Sequence, residues 1–182
     1  MSNLTKIEAW LEAHGWTRRV AGGVDFNAAL SAIETALDHR LGLIVSGEYG
    51  SGKTCLASAF AASFGYYRRI RCGIAEDLRI LTREWMDDHA ENLYAGVVLL
   101  DDVGAEHPEN VYGVKFEPIL EFLTRWSELK RENAVLIITT NFTSAELDER
   151  YGGRFYSRLK DACVPLKLHG ADKRRWKIPV TR

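Results

Sequence analysis

The sequence predicts a single α/β domain built around a parallel β-sheet. Apolar strand-like runs alternate with amphipathic helical segments along its 182 residues, the order that produces parallel sheets with helices on both faces. A glycine-rich turn joins one run to a helix near residue 50, and a later run ends in two adjacent carboxylates. With 46% hydrophobic and 27% charged residues, the chain suits one sizeable core. We expect residues 1–25 to form a short N-terminal helical extension and residues 26–182 the core domain.

Periodicity assigns the elements of the first half of the chain. Apolar residues recur at helical spacing in 4–11 and 27–39, and a compact apolar run at 41–46 predicts a strand. The same two patterns then predict, in order, a helix at 53–64, a strand at 70–73 and a helix at 75–89.

The second half begins with an apolar, valine-rich run at 97–100, which is typical of a central strand buried on both faces. Pro118 fits the first turn of a helix. The inward stripe of that helix is Ile119, Leu120, Leu123 and Trp126. The remaining predicted elements are a strand at 134–139, a helical stretch at 144–158 and a last strand at 162–168.

Large apolar residues in the leading segment allow two interpretations. They are Leu4, Ile7, Trp10, Leu11 and Trp16. They predict either a helix folded back on the core or a hook for a partner protein.

Charge and cysteine content exclude several classes of protein. The formal net charge is −1, so the chain lacks a global basic field, and any nucleic-acid surface must be local. Cys55, Cys72 and Cys163 form no CxxC pair and have no histidine at metal-ligand spacing, which indicates reduced thiols. The apolar runs are far shorter than the ~20 residues of a membrane span. We expect a cytoplasmic protein with no membrane contact.

The strongest chemical motif is GxxxxGK[ST], placed between a predicted strand and a predicted helix. It comprises Gly47, Glu48, Tyr49, Gly50, Ser51, Gly52, Lys53 and Thr54, and the nucleotide-binding candidates extend to Cys55. Glycines permit close backbone approach to a phosphate chain, and the helix N-terminus supplies N–H donors. Lys53 would bridge the β- and γ-phosphates of ATP, and the Thr54 hydroxyl would bind Mg²⁺. The alternative is a purely structural glycine turn.

Two carboxylates end the strand at 97–100. Uncompensated carboxylates are costly at the end of a buried strand, so Asp101 and Asp102 indicate a cation site. In a P-loop protein this is a Walker B element, in which Asp101 holds magnesium and Asp102 activates the attacking water. Glu106 is a rival general base or, alternatively, a solvated loop acid, and a surface turn is the alternative for the Asp101 and Asp102 pair.

Asn141 follows the next apolar strand, at the crevice where open α/β sheets bind ligands. Its amide could bind the γ-phosphate or the attacking water. Asparagine also begins turns and caps helices, so its position gives this assignment its weight.

Several of these motifs, taken in order, resemble one family. The run from Leu99 to Glu106, then Thr139-Thr140-Asn141, then Tyr151-Gly152-Gly153-Arg154 with Arg158 and Leu159, resembles the AAA+ ATPases of the DnaC/DnaI/IstB group. That group contains bacterial and phage replicative helicase loaders and transposition helper ATPases. The likeness spans about residues 27 to 175. It implies five parallel strands in the order 5-1-4-3-2, with a minimal or absent helical lid.

The resemblance also implies roles for single residues. Asn141 matches the sensor-1 position, and Arg154 and Arg158 match the group's Arg-x-x-x-Arg element. By likeness, Arg158 is the arginine finger that reaches the ATP of a neighbouring subunit. Arg174 matches the sensor-2 arginine, although Asp172 replaces the group's usual serine. Solvated surface charges are the alternative for all three arginines.

Two segments are candidates for contact with single-stranded DNA. Residues 159–182 hold seven Lys or Arg against two acids, and residues 66–71 interleave tyrosines with arginines. Cations can track a nucleic-acid backbone and aromatic rings can stack on bases. A solvated edge is the alternative for each segment.

The function expected from these features is ATP-dependent loading of a replicative ring helicase onto single-stranded DNA. ATP would hold a homo-oligomer together as a ring or spiral through Arg158. A transposition helper ATPase acting with a transposase is the second interpretation. A small-molecule P-loop kinase is the third, although the sequence has no arginine-bearing lid insertion of the kinase kind.

Overall fold

The computed structural model describes residues 2–13, 26–81, 83–89, 95–106, 109–111, 114–129 and 132–169. Its helices are α1 (Asn3–Ala13), α2 (Phe26–Asp38), α3 (Lys53–Ser63), α4 (Ala75–Leu78), α5 (Arg83–Asp88), α6 (Pro118–Leu129), α7 (Ser144–Tyr151) and α8 (Gly153–Ala162), with a 3₁₀ turn at Arg79–Leu81. Its strands are β1 (Gly42–Gly47), β2 (Arg68–Arg71), β3 (Val97–Val103), β4 (Glu109–Val111), β5 (Val114–Phe116), β6 (Val135–Thr140) and β7 (Cys163–Leu168).

Five of the strands form one parallel sheet in the order β2-β3-β6-β1-β7. When these five alone are numbered, the order is 2-3-4-1-5, which confirms the predicted 5-1-4-3-2 read across the sheet in the reverse direction. Because all five strands run the same way, β1, β3 and β6 end at one edge of the sheet. That edge carries the predicted phosphate loop, both carboxylates and Asn141.

Helices cover both faces of this sheet. Alternate residues of β1 belong to different cores: Leu43 and Val45 pack with α1, α2 and α3, whereas Ile44 packs with α6, α7 and α8. Strands buried on both faces explain the continuous apolar runs that predicted them. Among the described helices, none is long and apolar enough to cross a membrane.

The leading helix α1 is packed on the core. Ile7 and Leu11 are wholly buried, in the same cluster as Leu56 and Phe60 of α3, and Trp10 packs against that cluster. This arrangement matches the folded-back interpretation for those residues. Trp16, the last residue of the proposed hook, lies outside the described residues.

The single helix predicted at 75–89 is wrong. The chain forms α4, the 3₁₀ turn and α5 instead, and Leu78, Leu81 and Met86 are buried among the side chains that the structure describes there. The tighter 3₁₀ turn changes the angular spacing of successive residues and so ends the phase of the α-helix.

The helical stretch predicted at 144–158 consists of two helices. Gly152 separates α7 from α8 at a φ of 85°, a conformation that favours glycine. The antiparallel β4–β5 hairpin was not predicted. Each of its strands has three residues, too few to show a period of two.

Candidate active site

The loop between β1 and α3 adopts a conformation that requires glycine. Gly47, Gly50 and Gly52 have φ values of 147°, 74° and 96°. A Cβ on Gly47 would lie 2.3 Å from the carbonyl oxygen of Leu168, so a larger residue cannot occupy the position. The backbone therefore wraps closely around the N-terminus of α3, as a phosphate-binding loop does.

Lys53 joins this loop to the end of β6. Its side chain is almost completely buried, and its ammonium donates to the carbonyl oxygens of Gly47 at 2.9 Å and Glu48 at 2.8 Å. It also donates to Oδ1 of Asn141 at 2.6 Å. The sequence separated Lys53 and Asn141 by 88 residues, and the parallel order of β1 and β6 brings them together.

Asp101 joins three elements at the same edge. Its Oδ1 accepts hydrogen bonds from the hydroxyls of Thr54 at 2.9 Å and Thr139 at 2.7 Å. Its Oδ2 pairs with Nη2 of Arg69 and accepts from Nε of Arg69 at 3.2 Å. Asp101 is 4% exposed, so these contacts compensate a carboxylate that has little access to water.

Asp102 lies in a local distortion of β3. Leu100 pairs with Ile138 and Val103 with Thr140, so β3 carries one residue more than β6 over this interval. Asp102 has a φ of 61°, which is uncommon for a residue with a side chain. Its amide donates to Oγ1 of Thr139 at 2.8 Å, and its carboxylate lies 3.5 Å from Nδ2 of Asn141. Asp101 and Asp102 therefore have different partners, Asp101 in Thr54, Thr139 and Arg69 and Asp102 in Asn141.

Glu106 is buried and bound within the chain. Its Oε2 accepts from the amide of Gly104 at 2.9 Å. Its Oε1 accepts from Nη2 of Arg150 at 3.2 Å and from the hydroxyl of Tyr151. Burial raises the pKa of Tyr151 far above its ordinary value, and the charge of Glu106 raises it further. Glu106 thus ties the loop after β3 to α7.

The other loop candidates differ in exposure. Glu48 and Tyr49 are exposed, and Cys55 is half-buried behind Thr54. Ser51 is wholly buried, and its Oγ has no hydrogen-bond partner among the described residues. An orphaned donor inside the loop fits a site that a ligand completes.

The residues at this edge suit magnesium together with a phosphate chain. Hydroxyl and carboxylate oxygens are the ligands that Mg²⁺ prefers, and Thr54 and Asp101 supply both kinds. Asp101 already accepts a cationic partner in Arg69. Among the described residues, no cluster of three or more His, Cys, Asp or Glu could hold a metal without further ligands. A magnesium ion here would take its further ligands from water and from a bound phosphate chain.

The predicted arginines lie away from this cluster or outside the described residues. Arg158 is exposed on α8, where it lines a groove between α6 and α8. The side chain of Arg154 and all of Arg174 lie outside the described residues.

The stretch at 66–71 is not an open row of cations, because Arg69 binds Asp101 and Arg71 binds Asp77. The sequence patterns did not predict that Arg69 and Thr139 contact Asp101. The available signal was the predicted strand order, which puts β2 beside β3.

Comparison with known proteins supplies the family. The profile of the ATPase family associated with various cellular activities (AAA) matches residues 43–161, more than half of the chain. No curated protein matches the chain.

Among solved structures, NtrX from Brucella abortus in complex with ATP has 16% identity and a TM-score of 0.58, over 88% of this chain and 41% of that one. The replication initiator DnaA bound to AMPPCP and single-stranded DNA has 18% identity and a TM-score of 0.55, over 82% of this chain and 47% of that one. The ORC1 protein of Aeropyrum pernix in complex with DNA has 16% identity and a TM-score of 0.51, over 78% of this chain and 44% of that one. The chain spans less than half the length of these structures, and likeness at such identity concerns the fold alone. Together with the phosphate loop and the sheet order, the match over residues 43–161 means that the chain belongs to the AAA family of ATPases.

Proposed function

We propose that this chain binds ATP with magnesium and hydrolyses it. The observation that carries the proposal is the pair of links from the phosphate loop to the neighbouring strands, Lys53 to Asn141 and Thr54 to Asp101. Magnesium, when bound, would neutralise charge on the phosphates, and Thr54 and Asp101 are the residues that would hold it. Lys53 would bind the β- and γ-phosphates in exchange for its present carbonyl partners.

Asp102 is the better candidate for the general base. Its side chain is half-buried and lies beside the amide of Asn141, which could orient a water molecule next to it. Both oxygens of Glu106 are already engaged by Gly104, Arg150 and Tyr151. We infer that Glu106 holds the loop in place and that Asp102 accepts the proton.

Two matched amide variants test this assignment. Asp102→Asn should retain nucleotide affinity and lose about 10²–10⁴-fold in turnover, since the proton acceptor is removed. Glu106→Gln should keep most of the turnover per folded molecule, because it changes no group that faces the substrate. Calorimetry with a non-hydrolysable analogue and steady-state phosphate release measure the two quantities. The opposite pattern would make Glu106 the base, and no phosphate release by the parent protein would refute the hydrolytic function.

We further propose that the chain is a helicase loader of the DnaC/DnaI/IstB kind, acting as an ATP-dependent homo-oligomer on single-stranded DNA. The paired Asp101 and Asp102, Asn141 and the arginine pair of α8 support this assignment by resemblance. Two of the proteins with this fold, DnaA and ORC1, have structures in complex with DNA. The replicative helicase is the proposed partner, and a transposase is the partner expected of a transposition helper.

Binding assays test the DNA and the partner separately. Single-stranded DNA should stimulate hydrolysis. The affinity for this DNA should fall steeply with added salt, because binding releases counterions from the DNA phosphates and added salt opposes that release. Lys177→Glu should weaken this binding, because it reverses one charge of the basic segment 159–182. A pull-down with ATP against the host helicase and against a transposase decides between the two roles. DNA binding that is undetectable or insensitive to salt would favour a purely protein-directed switch.

A further inference from the structure

Asp101 has two oxygens in different surroundings, and the second one is held by an arginine. Oδ1 accepts from the hydroxyls of Thr54 and Thr139, both of which are neutral. Oδ2 carries the contact with charge, through Nη2 and Nε of Arg69. The Asp101 side chain is 5% exposed, so its charge requires a counter-ion, and Arg69 supplies it.

Strand register explains why Arg69 is the partner. Arg71 lies directly opposite Asp101 across the β2–β3 pair. Its guanidinium instead binds both oxygens of Asp77, at 2.8 and 2.9 Å. Arg69, two residues earlier on the same face of β2, is then the cation that reaches along the strand to Asp101. Arg69 with Asp101 and Arg71 with Asp77 are therefore two separate ion pairs, and both arginines lie on the same face of β2.

The two partners differ in their access to solvent. The side chain of Arg69 is 41% exposed, whereas that of Asp101 is nearly buried. Arg69 can therefore move into water when another cation takes its place, while Asp101 stays in place. A buried acid with an exposed, removable cation is suited to exchanging one positive charge for another.

We propose that Arg69 is a displaceable counter-ion of Asp101, which occupies the carboxylate without nucleotide and leaves Oδ2 when magnesium arrives. This inference rests on the proposed function, in which Asp101 holds magnesium. Arg69 and the metal compete for the same charge, so Arg69 lowers the gain in nucleotide affinity that magnesium provides. Arg69 is thus a positioning residue that sets the dependence of nucleotide binding on the metal.

The measurement is the ratio of the AMPPCP dissociation constant in EDTA to that in excess magnesium, obtained by calorimetry. Arg69→Gln should raise this ratio about tenfold, since it removes a charge-assisted competitor of the metal. Arg71→Gln removes the same charge from the same face of β2 and should leave the ratio near the parent value. If Arg69→Gln does not fold, Arg69→Lys keeps the charge without the two-pronged contact and should also raise the ratio.

A third variant distinguishes a failure of this inference from a failure of the proposed function on which it rests. Asp101→Asn should bring the ratio close to one, because the metal loses its carboxylate. If it does so while Arg69→Gln gives the parent ratio or a lower one, Arg69 does not compete with magnesium, and the inference is wrong although the ATPase assignment stands. If Asp101→Asn leaves the ratio unchanged, Asp101 is not the metal ligand, and both this inference and the assignment of magnesium to Asp101 are overturned, whereas hydrolysis is tested by phosphate release.

Discussion

At the scale of single residues, the ammonium of Lys53 connects the phosphate loop to the end of β6. An ammonium has three donors, and Lys53 donates to Gly47, Glu48 and Asn141 from a nearly buried position. When ATP binds, its phosphate oxygens would have to replace some of these acceptors. Because Asn141 is one of them, the occupancy of the loop is linked to the residue that follows β6.

Tyr151 gives a prediction about alkaline stability. Its pKa is raised by burial and by Glu106, so the folded protein retains the phenolic proton where the unfolded chain releases it near pH 10. The stability contributed by this group is fully present below pH 10 and is lost as the pH rises above it, at about 1.4 kcal/mol per pH unit. Tyr151→Phe should therefore cost about 1–3 kcal/mol at pH 8, since Glu106 loses a donor, and this difference from the parent should shrink by pH 11.

Urea unfolding at pH 8 and pH 11 measures both effects. Tyr156→Phe is the control, because it removes one hydroxyl from α8 without touching Glu106. A difference between the parent and Tyr151→Phe that stays constant from pH 8 to pH 11 would contradict the proposed linkage.

At the scale of elements, the sequence contained most of the fold but little of its side-chain pairing. Apolar runs and the glycine motif predicted the strands of the main sheet to within about three residues at each end, because burial on both faces of β1, β3 and β6 leaves a local mark in the sequence. The break between α4 and α5 and the β4–β5 hairpin left no such mark. The partner of Arg69 depends on the register of β2 against β3, which no local pattern contains.

The packing of α1 leads to a prediction that separates its two interpretations. Leu11 is wholly buried in the cluster that contains Phe60 of α3. Leu11→Ala should cost about 2–5 kcal/mol of unfolding free energy, because it leaves a cavity in a packed core. The exposed neighbour Glu12→Ala should change stability by about 0.5 kcal/mol or less. If Leu11→Ala proves as stable as Glu12→Ala in chemical denaturation, α1 is not part of the core. That result would favour the interpretation of this segment as a hook for a partner protein.

At the scale of the whole molecule, the position of Arg158 bears on which active site it serves. Helix α8 leads directly into β7, whose first residue pairs with Gly42 at the beginning of β1. Arg158 lines a groove together with Leu136, near the beginning of β6. The phosphate loop follows the end of β1, at the opposite edge of the sheet. The same groove is lined by Tyr151, which contacts Glu106 after β3, so Arg158 lies partway between the two ends of the strands. Its role in a neighbouring subunit's site is therefore a proposal that rests on the resemblance of the Arg154 and Arg158 pair.

A mixing experiment tests this assignment for the assembled protein. If Arg158 serves the ATP of the next subunit, the interface is head-to-tail, which generates rings or open spirals. Arg158→Ala should then bind ATP but lose ~10³–10⁵ in rate, whereas Lys53→Ala should be inactive because it lacks the phosphate-binding cation. Mixed in equal amounts, the two variants should regain activity, since random pairing places an intact loop beside an intact finger at about a quarter of the sites. Phosphate release is the readout, and light scattering with ATP is the control for co-assembly. A mixture that co-assembles and stays as inactive as its parts would mean that Arg158 does not act across the interface.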